Sequence, residues 1–291
     1  MLALLLAALA APADSLVVTP DWLAAHRGDP GLVILHVAMD RADYERGHIP
    51  GARWVNPHDL IKMGPPGSEL PTAEQIDSVL SGLGVEPGSR IVYYGDTWMS
   101  PRVFLALEYV GLGDRASWLD GGLPAWRRQQ RPLSTTREPW KPGHVTGRAH
   151  PEIVIDADAL RGALENPRLL VLDGRSPGEY SGADHSEGLP RSGHLPGAVN
   201  LPWEQTFTDP AGALDGSPSP LLSRDALRRL FSDAGFKDGR DLVTYCTVGL
   251  RAAHLYFIAR YLGWRPRLYD GSMSEWSRRP ELPVVSGTNP R

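Results

Sequence analysis

The chain is written twice, and that duplication constrains its fold more than any local pattern does. Tyr44–Asn56 (YERGHIPGARWVN) returns as Arg191–Pro202 (RSGHLPGAVNLP), with His48 and His194 in register. Arg90–Trp98 (RIVYYGDTW) is answered by Asp241–Gly249 (DLVTYCTVG), and Trp118–Gln129 (WLDGGLPAWRRQ) by Arg267–Arg278 (RLYDGSMSEWSR). Three matches in one order at nearly one offset imply two copies of a single domain. Between them, Arg127–Glu152 is rich in Pro, Arg and Thr and lacks an apolar period, so it reads as a linker. The expected organisation is a first domain over 14–133, a linker over 134–151 with the divide near 145, and a second domain over 152–291.

Within each copy, short apolar runs alternate with helical patterns. Leu32–Ala38 and Leu169–Gly174 look like buried parallel strands, as do Arg90–Gly95 and Asp241–Cys246. The segment from Thr72 opens with Thr-x-Glu and carries apolar residues at Ile76, Val79, Leu80 and Leu83, a capped amphipathic helix. Ser223 and Gly235 bracket a second helix of the same design. This alternation predicts an α/β fold: two tandem domains, each a central parallel sheet flanked by helices.

Composition narrows function. With 291 residues, 22% charged and 42% hydrophobic, the chain is long enough for two cores and has ordinary globular make-up. A net charge of -4 gives no electrostatic case for nucleic acid, and no basic run is dense enough for an anionic membrane. The N-terminus, apolar from Leu2 to Ala11 and followed by Ala11-Pro12-Ala13, reads as a signal peptide over 1–13, so the protein is expected to be exported, periplasmic or secreted, with no membrane anchor after cleavage.

A single cysteine, Cys246, excludes an intramolecular disulfide and a cysteine-rich zinc site. It ends a strand and precedes a helix expected from about Ala252, the place where open α/β sheets bind ligands. Loop amides around Thr247, Val248, Gly249 and Leu250, the helix N-terminus and Arg251 all favour a thiolate, which is a nucleophile. The first copy has Gly95-Asp96 at the matching place. One half then carries the reactive group and the other supports it. Four residues separate Cys246 from Arg251, one fewer than in the tyrosine-phosphatase loop, which makes the cradle small for phosphate and suited to a sulfur atom carried on Cys246.

These residues resemble the tandem-domain rhodaneses, the thiosulfate and 3-mercaptopyruvate sulfurtransferases. CTVGLR is similar to the rhodanese active-site loop, GHIPGA and GHLPGA to the signature near the start of each domain, and DGG..AW and DGS..EW to the one near its end. The resemblance implies a double displacement in which Cys246 takes a sulfane sulfur from a small anionic donor and hands it to a thiophilic acceptor such as cyanide. It implies no metal or organic cofactor. Thr247 to Arg251 would bind the substrate, with Asp173 and Arg175 beside them. Thiosulfate is the favoured donor, from the cationic loop end at Arg251, and 3-mercaptopyruvate the alternative. Three departures stand out: Glu179 occupies the place of an expected donor-gripping arginine and is spaced to pair with Arg175, Thr247-Val248 matches neither familiar loop, and His36 replaces the counterpart of Asp173.

The remaining candidates read as structural. His48 and His194 are expected to bond their turns, Trp126 and Trp276 to plug the sheet flanks, His254 to pack, and Trp98 to wall the loop across the domain interface. A rival function from another class is a non-catalytic persulfide carrier serving a partner protein. Arsenate reduction or phosphatase activity on the related fold is a third.

Overall fold

The computed structural model describes residues 15–64, 67–217 and 219–290. The leader expected over 1–13 lies outside these residues. The first half contains β1 (Val17–Val18), β2 (Leu32–Val37), β3 (Ala52–Val55), the hairpin β4 (Lys62–Gly64) and β5 (Gly67–Glu69), β6 (Arg90–Gly95) and β7 (Ala116–Leu119). The second contains β8 (Val154–Ile155), β9 (Leu169–Asp173), β10 (Val199–Asn200), β11 (Asp241–Tyr245) and β12 (Arg267–Tyr269). The sheets run β1-β7-β6-β2-β3 and β8-β12-β11-β9-β10, the same topology twice, and every pairing in both is parallel. Parallel neighbours need crossovers, and helices supply them.

The helix ends follow the sequence. Thr72 caps Ala73–Gly82 in a full capping box, closed by Gln75 rather than the neighbouring Glu74. Ser223 caps Arg224–Asp233 by accepting from the Ala226 N–H.

The helices that follow β6 and β11, Ser100–Tyr109 and Leu250–Tyr261, are buried on almost every side. They lie between the two sheets, which is why they are apolar all round and lack an amphipathic stripe. Phe104 meets Phe257 edge-on at 5.0 Å, and Trp118 lies 5.5 Å from the same Phe257 ring. One apolar core therefore runs through both halves. Polar bonds cross beside it: Arg102 to Asp270 at 2.6 Å, Arg260 to Glu108 at 2.7 Å, and the Leu221 N–H to Asp120 at 2.9 Å.

The segment between the halves is pinned along the first one. Ser134 bridges His48, the Trp140 indole donates to the Gly82 carbonyl, Gly147 N–H donates to Asp77, and His150 N–H to the Tyr109 carbonyl. Among the described residues no helix is long and apolar enough to cross a membrane.

Candidate active site

In the second sheet the strand order reverses direction between β9 and β11, so their carboxyl ends open onto the switch-point crevice. Asp173 ends β9 opposite Tyr245, which ends β11, and Cys246 follows at once. The cysteine is 1% exposed. Its root is fixed from three directions: the Cys246 N–H donates to Ser272 Oγ at 3.1 Å, the Met273 N–H donates to the Cys246 carbonyl at 3.0 Å, and the Gly174 N–H donates to the Tyr245 carbonyl at 2.9 Å.

The loop then turns back on the sulfur. Gly249 has φ +88° and caps the helix Leu250–Tyr261, which starts two residues before the expected Ala252. Its N–H donates to Cys246 Sγ at 3.1 Å. A donor so placed, at the mouth of a helix, stabilises negative charge on the sulfur. A Cβ at Gly249 would lie 2.6 Å from Ser68 Oγ and 3.0 Å from Asp270 Oδ1, and the left-handed backbone independently requires glycine there.

Arg251 and Glu179 form the charged wall. Arg251 Nη1 and Nη2 reach Glu179 Oε2 and Oε1 at 2.6 and 2.8 Å, and Nη2 also donates to Thr247 Oγ1 at 2.6 Å. The Thr247 hydroxyl in turn donates to Glu179 Oε1 at 3.1 Å. Burial alone would raise the Glu179 carboxyl, but the Arg251 hydrogen bonds and charge outweigh it and bring it down to about 2. Glu204 stands nearby with Arg251 and Glu179 as charged neighbours, and burial pushes its carboxyl up.

The expected pairing of Arg175 with Glu179 is therefore replaced. Arg175 instead forks onto Asp173, with Nε to Oδ1 at 2.9 Å and Nη2 to Oδ2 at 2.6 Å, and adds a bond to the Gly193 carbonyl at 2.7 Å. Asp173 and Arg175, 0% and 1% exposed, are paired with each other. The reason is local. A carboxylate at a strand end also accepts the N–H two residues on, at 3.0 Å, and that turn brings the same residue's guanidinium back over it. Burial would lower Arg175, but the charge and bonds of Asp173 hold it above its ordinary range.

The histidines are committed elsewhere. His48 and His194 stack on Tyr44 and Tyr180 at 3.7 and 3.8 Å and bond those residues' carbonyls at 2.9 Å. His254 is brought down to about 3 by burial, and its Nε2 meets Thr206 Oγ1 at 2.7 Å. Trp126 and Trp276 are buried and donate to the Pro132 and Pro283 carbonyls. Trp98 meets Trp203 at 4.8 Å across the interface. His36, the counterpart of Asp173, packs 4.7 Å from Tyr94, and burial brings it down to about 4.

Four neighbours of the loop escape a sequence reading: Ser68, Arg102, Ser272 and Glu204. Ser68 donates its N–H at 3.3 Å and its hydroxyl to the Val248 carbonyl, although it sits on the first half's hairpin. Arg102, fully buried, clamps Asp270 from the first half. Among the described residues no group of three His, Cys, Asp or Glu side chains gathers to hold a metal.

Comparison with known proteins agrees with this architecture. The Rhodanese-like domain family matches twice, over residues 19–129 and 156–279. The chain is 35% identical to a thiosulfate sulfurtransferase of Azotobacter vinelandii, across 92% of this chain and 96% of that one. It is 31% identical to the sulfur carrier protein TtuD of Thermus thermophilus (93% and 96%) and 32% identical to a probable 3-mercaptopyruvate sulfurtransferase of Pseudomonas aeruginosa (93% and 98%). Among solved structures, SseA of Escherichia coli, a 3-mercaptopyruvate enzyme, superposes with TM-score 0.75 at 25% identity over 89% of this chain and 98% of that one. The anaerobic ergothioneine biosynthesis enzyme of Chlorobium limicola shares the fold, with TM-score 0.81 at 22% identity over 94% and 71%. With the duplicated topology and the cysteine loop at the switch point, these matches show that the chain belongs to the rhodanese family, as a member with two tandem rhodanese-like domains.

Proposed function

We propose that this protein is a sulfurtransferase that carries a sulfane sulfur on Cys246, with thiosulfate as the donor. The single observation behind this reading is the Gly249 N–H aimed at Cys246 Sγ from 3.1 Å, in a loop that ends in a helix N-terminus. In the first step the Cys246 thiolate attacks the outer sulfur of thiosulfate, the S–S bond of the donor breaks with its electron pair, and sulfite leaves. In the second, cyanide or another thiophile attacks the terminal sulfur of the persulfide, and the thiolate departs. The Gly249 N–H suits both charged states of the sulfur.

One thing supports thiosulfate over 3-mercaptopyruvate: the 35% identical relative is a thiosulfate enzyme. Arg251, bidentate to Glu179, favours neither anionic donor. A persulfide carrier is the second reading, because a 31% identical relative is a sulfur carrier protein. We further propose export, from the apolar run Leu2–Ala11 and the Ala11-Pro12-Ala13 step. N-terminal sequencing of the mature protein tests that point, and an intact Met1 would refute it.

The activity test is thiocyanate formation from cyanide with each donor, beside Cys246→Ser. Cysteine-dependent turnover with thiosulfate is expected. Faster turnover with 3-mercaptopyruvate reverses the donor assignment. Stoichiometric persulfide without turnover on either donor puts the carrier reading first.

A further inference from the structure

The turn after the last strand of each half runs Asp120-Gly121-Gly122 in the first and Asp270-Gly271-Ser272 in the second. At its third position the backbone is left-handed in both, with φ +53° at Gly122 and +51° at Ser272. Glycine adopts this conformation freely, whereas a residue with a Cβ is strained by it. Among the described residues only Gln130 shares this state with Ser272 outside glycine. Gly122 shows that the turn itself needs no side chain here, so the serine belongs to the needs of the half that carries the thiol.

Ser272 is fully buried, and its hydroxyl is used on both sides. It donates to the Tyr269 carbonyl at 3.0 Å, and it accepts the Cys246 N–H at 3.1 Å. Its one proton is committed to Tyr269, so the oxygen's lone pairs remain for the cysteine amide. The next two bonds, Met273 N–H to the Cys246 carbonyl and Ser274 N–H to the Thr247 carbonyl, are made by backbone alone. The first rung of this ladder therefore depends on one side chain held in an unfavourable conformation. Strain retained at a single buried residue beside a reactive group is a feature of working sites.

We propose that Ser272 is a positioning residue for the sulfur chemistry of Cys246: its hydroxyl fixes the cysteine amide so that the sulfur faces the Gly249 N–H. The inference rests on the reading of Cys246 as the sulfur-carrying residue. Ser272 itself exchanges no atom with the substrate.

The test compares Ser272→Gly with Ser272→Ala in the full chain. Both remove the hydroxyl, but glycine relieves the backbone and alanine keeps it strained. The readouts are the rate of iodoacetamide alkylation of the lone thiol at neutral pH, thermal melting, and thiocyanate formation. Both variants are expected to react roughly threefold to tenfold more slowly. Melting, in contrast, should diverge, with the glycine variant above the alanine variant, since both lose the same buried hydrogen bonds and only glycine relieves the backbone. A glycine variant with wild-type reactivity overturns the proposal, as does reactivity that follows the melting temperature. If wild type makes no thiocyanate from either donor while the alkylation pattern holds, the donor reading falls and the Ser272 assignment stands.

Discussion

Ser68 and Val248 lie in different halves of the duplication, yet Ser68 donates both its backbone N–H and its hydroxyl to the Val248 carbonyl. That carbonyl and the Gly249 N–H belong to one trans peptide plane and point in opposite directions. Holding the oxygen towards the first half therefore aims the N–H at Cys246 Sγ. The half that lacks a thiol orients the donor that serves it.

Replacing Ser68 with alanine is therefore expected to lower turnover from a distance in sequence. The lost hydroxyl bond is worth about 1 kcal/mol net, so stability should fall by about that amount and thiocyanate formation by roughly twofold to tenfold. Steady-state assays alongside denaturant titration check this. Unchanged turnover with the stability loss would confine Ser68 to bracing the interface.

Much of this arrangement was legible in the sequence. The duplication, the α/β alternation and the place of Cys246 follow from repeated motifs, apolar runs and helix caps, all of which are local in the chain. Glu179 shows where that reading stops. Its spacing from Arg175 suits an ion pair, but Asp173 lies closer to Arg175 by way of its own turn, and Glu179 turns to Arg251. Ser68 and Arg102 left no signal, because what they touch is set by how the two halves pack. Ser272 differs: its signal was the one-residue difference between DGG and DGS, and its meaning appears only with a backbone angle.

The Glu179–Arg251 pair sets a pH dependence whose sign is fixed. Its carboxyl is held at about 2 against an ordinary value of 4.5, so the folded state binds this proton less readily than the unfolded one. The stability it contributes is full above the unfolded value and is lost as pH falls through 4.5 towards 2. Between wild type and Glu179→Gln, the gap in unfolding free energy should be constant above about pH 5 and should close as acid is added. Urea titrations at a series of pH values measure it, and a gap that widens in acid would contradict the pairing.

The first half cannot be given a thiol by substitution alone. Gly95 stands at the counterpart of Cys246 with φ +132°, and a Cβ there would lie 2.0 Å from the Val37 carbonyl oxygen. Gly95→Cys in a Cys246→Ser background is expected to form no thiocyanate and to lose about 3 kcal/mol or more of stability. A folded variant with sulfur transfer above the Cys246→Ser background would show that the two loops are interchangeable.

Arg175→Lys separates a floor beneath the site from a contact with substrate. Arg175 makes a planar fork to Asp173 and a third bond to the Gly193 carbonyl, and it lies 5.8 Å from the Tyr245 ring centroid. Lysine keeps the charge but cannot reproduce the fork, and Asp173 is too deeply buried for water to replace the lost bonds. The expected loss is about 2–4 kcal/mol of stability, close to that of breaking a buried pair. Below the melting transition, KM for thiosulfate should stay at the wild-type value, because the guanidinium faces the sheet and Cys246 keeps its Gly249 donor. A KM raised severalfold with stability unchanged would instead place Arg175 against the donor, and the roles of Arg175 and Arg251 would then have to be exchanged.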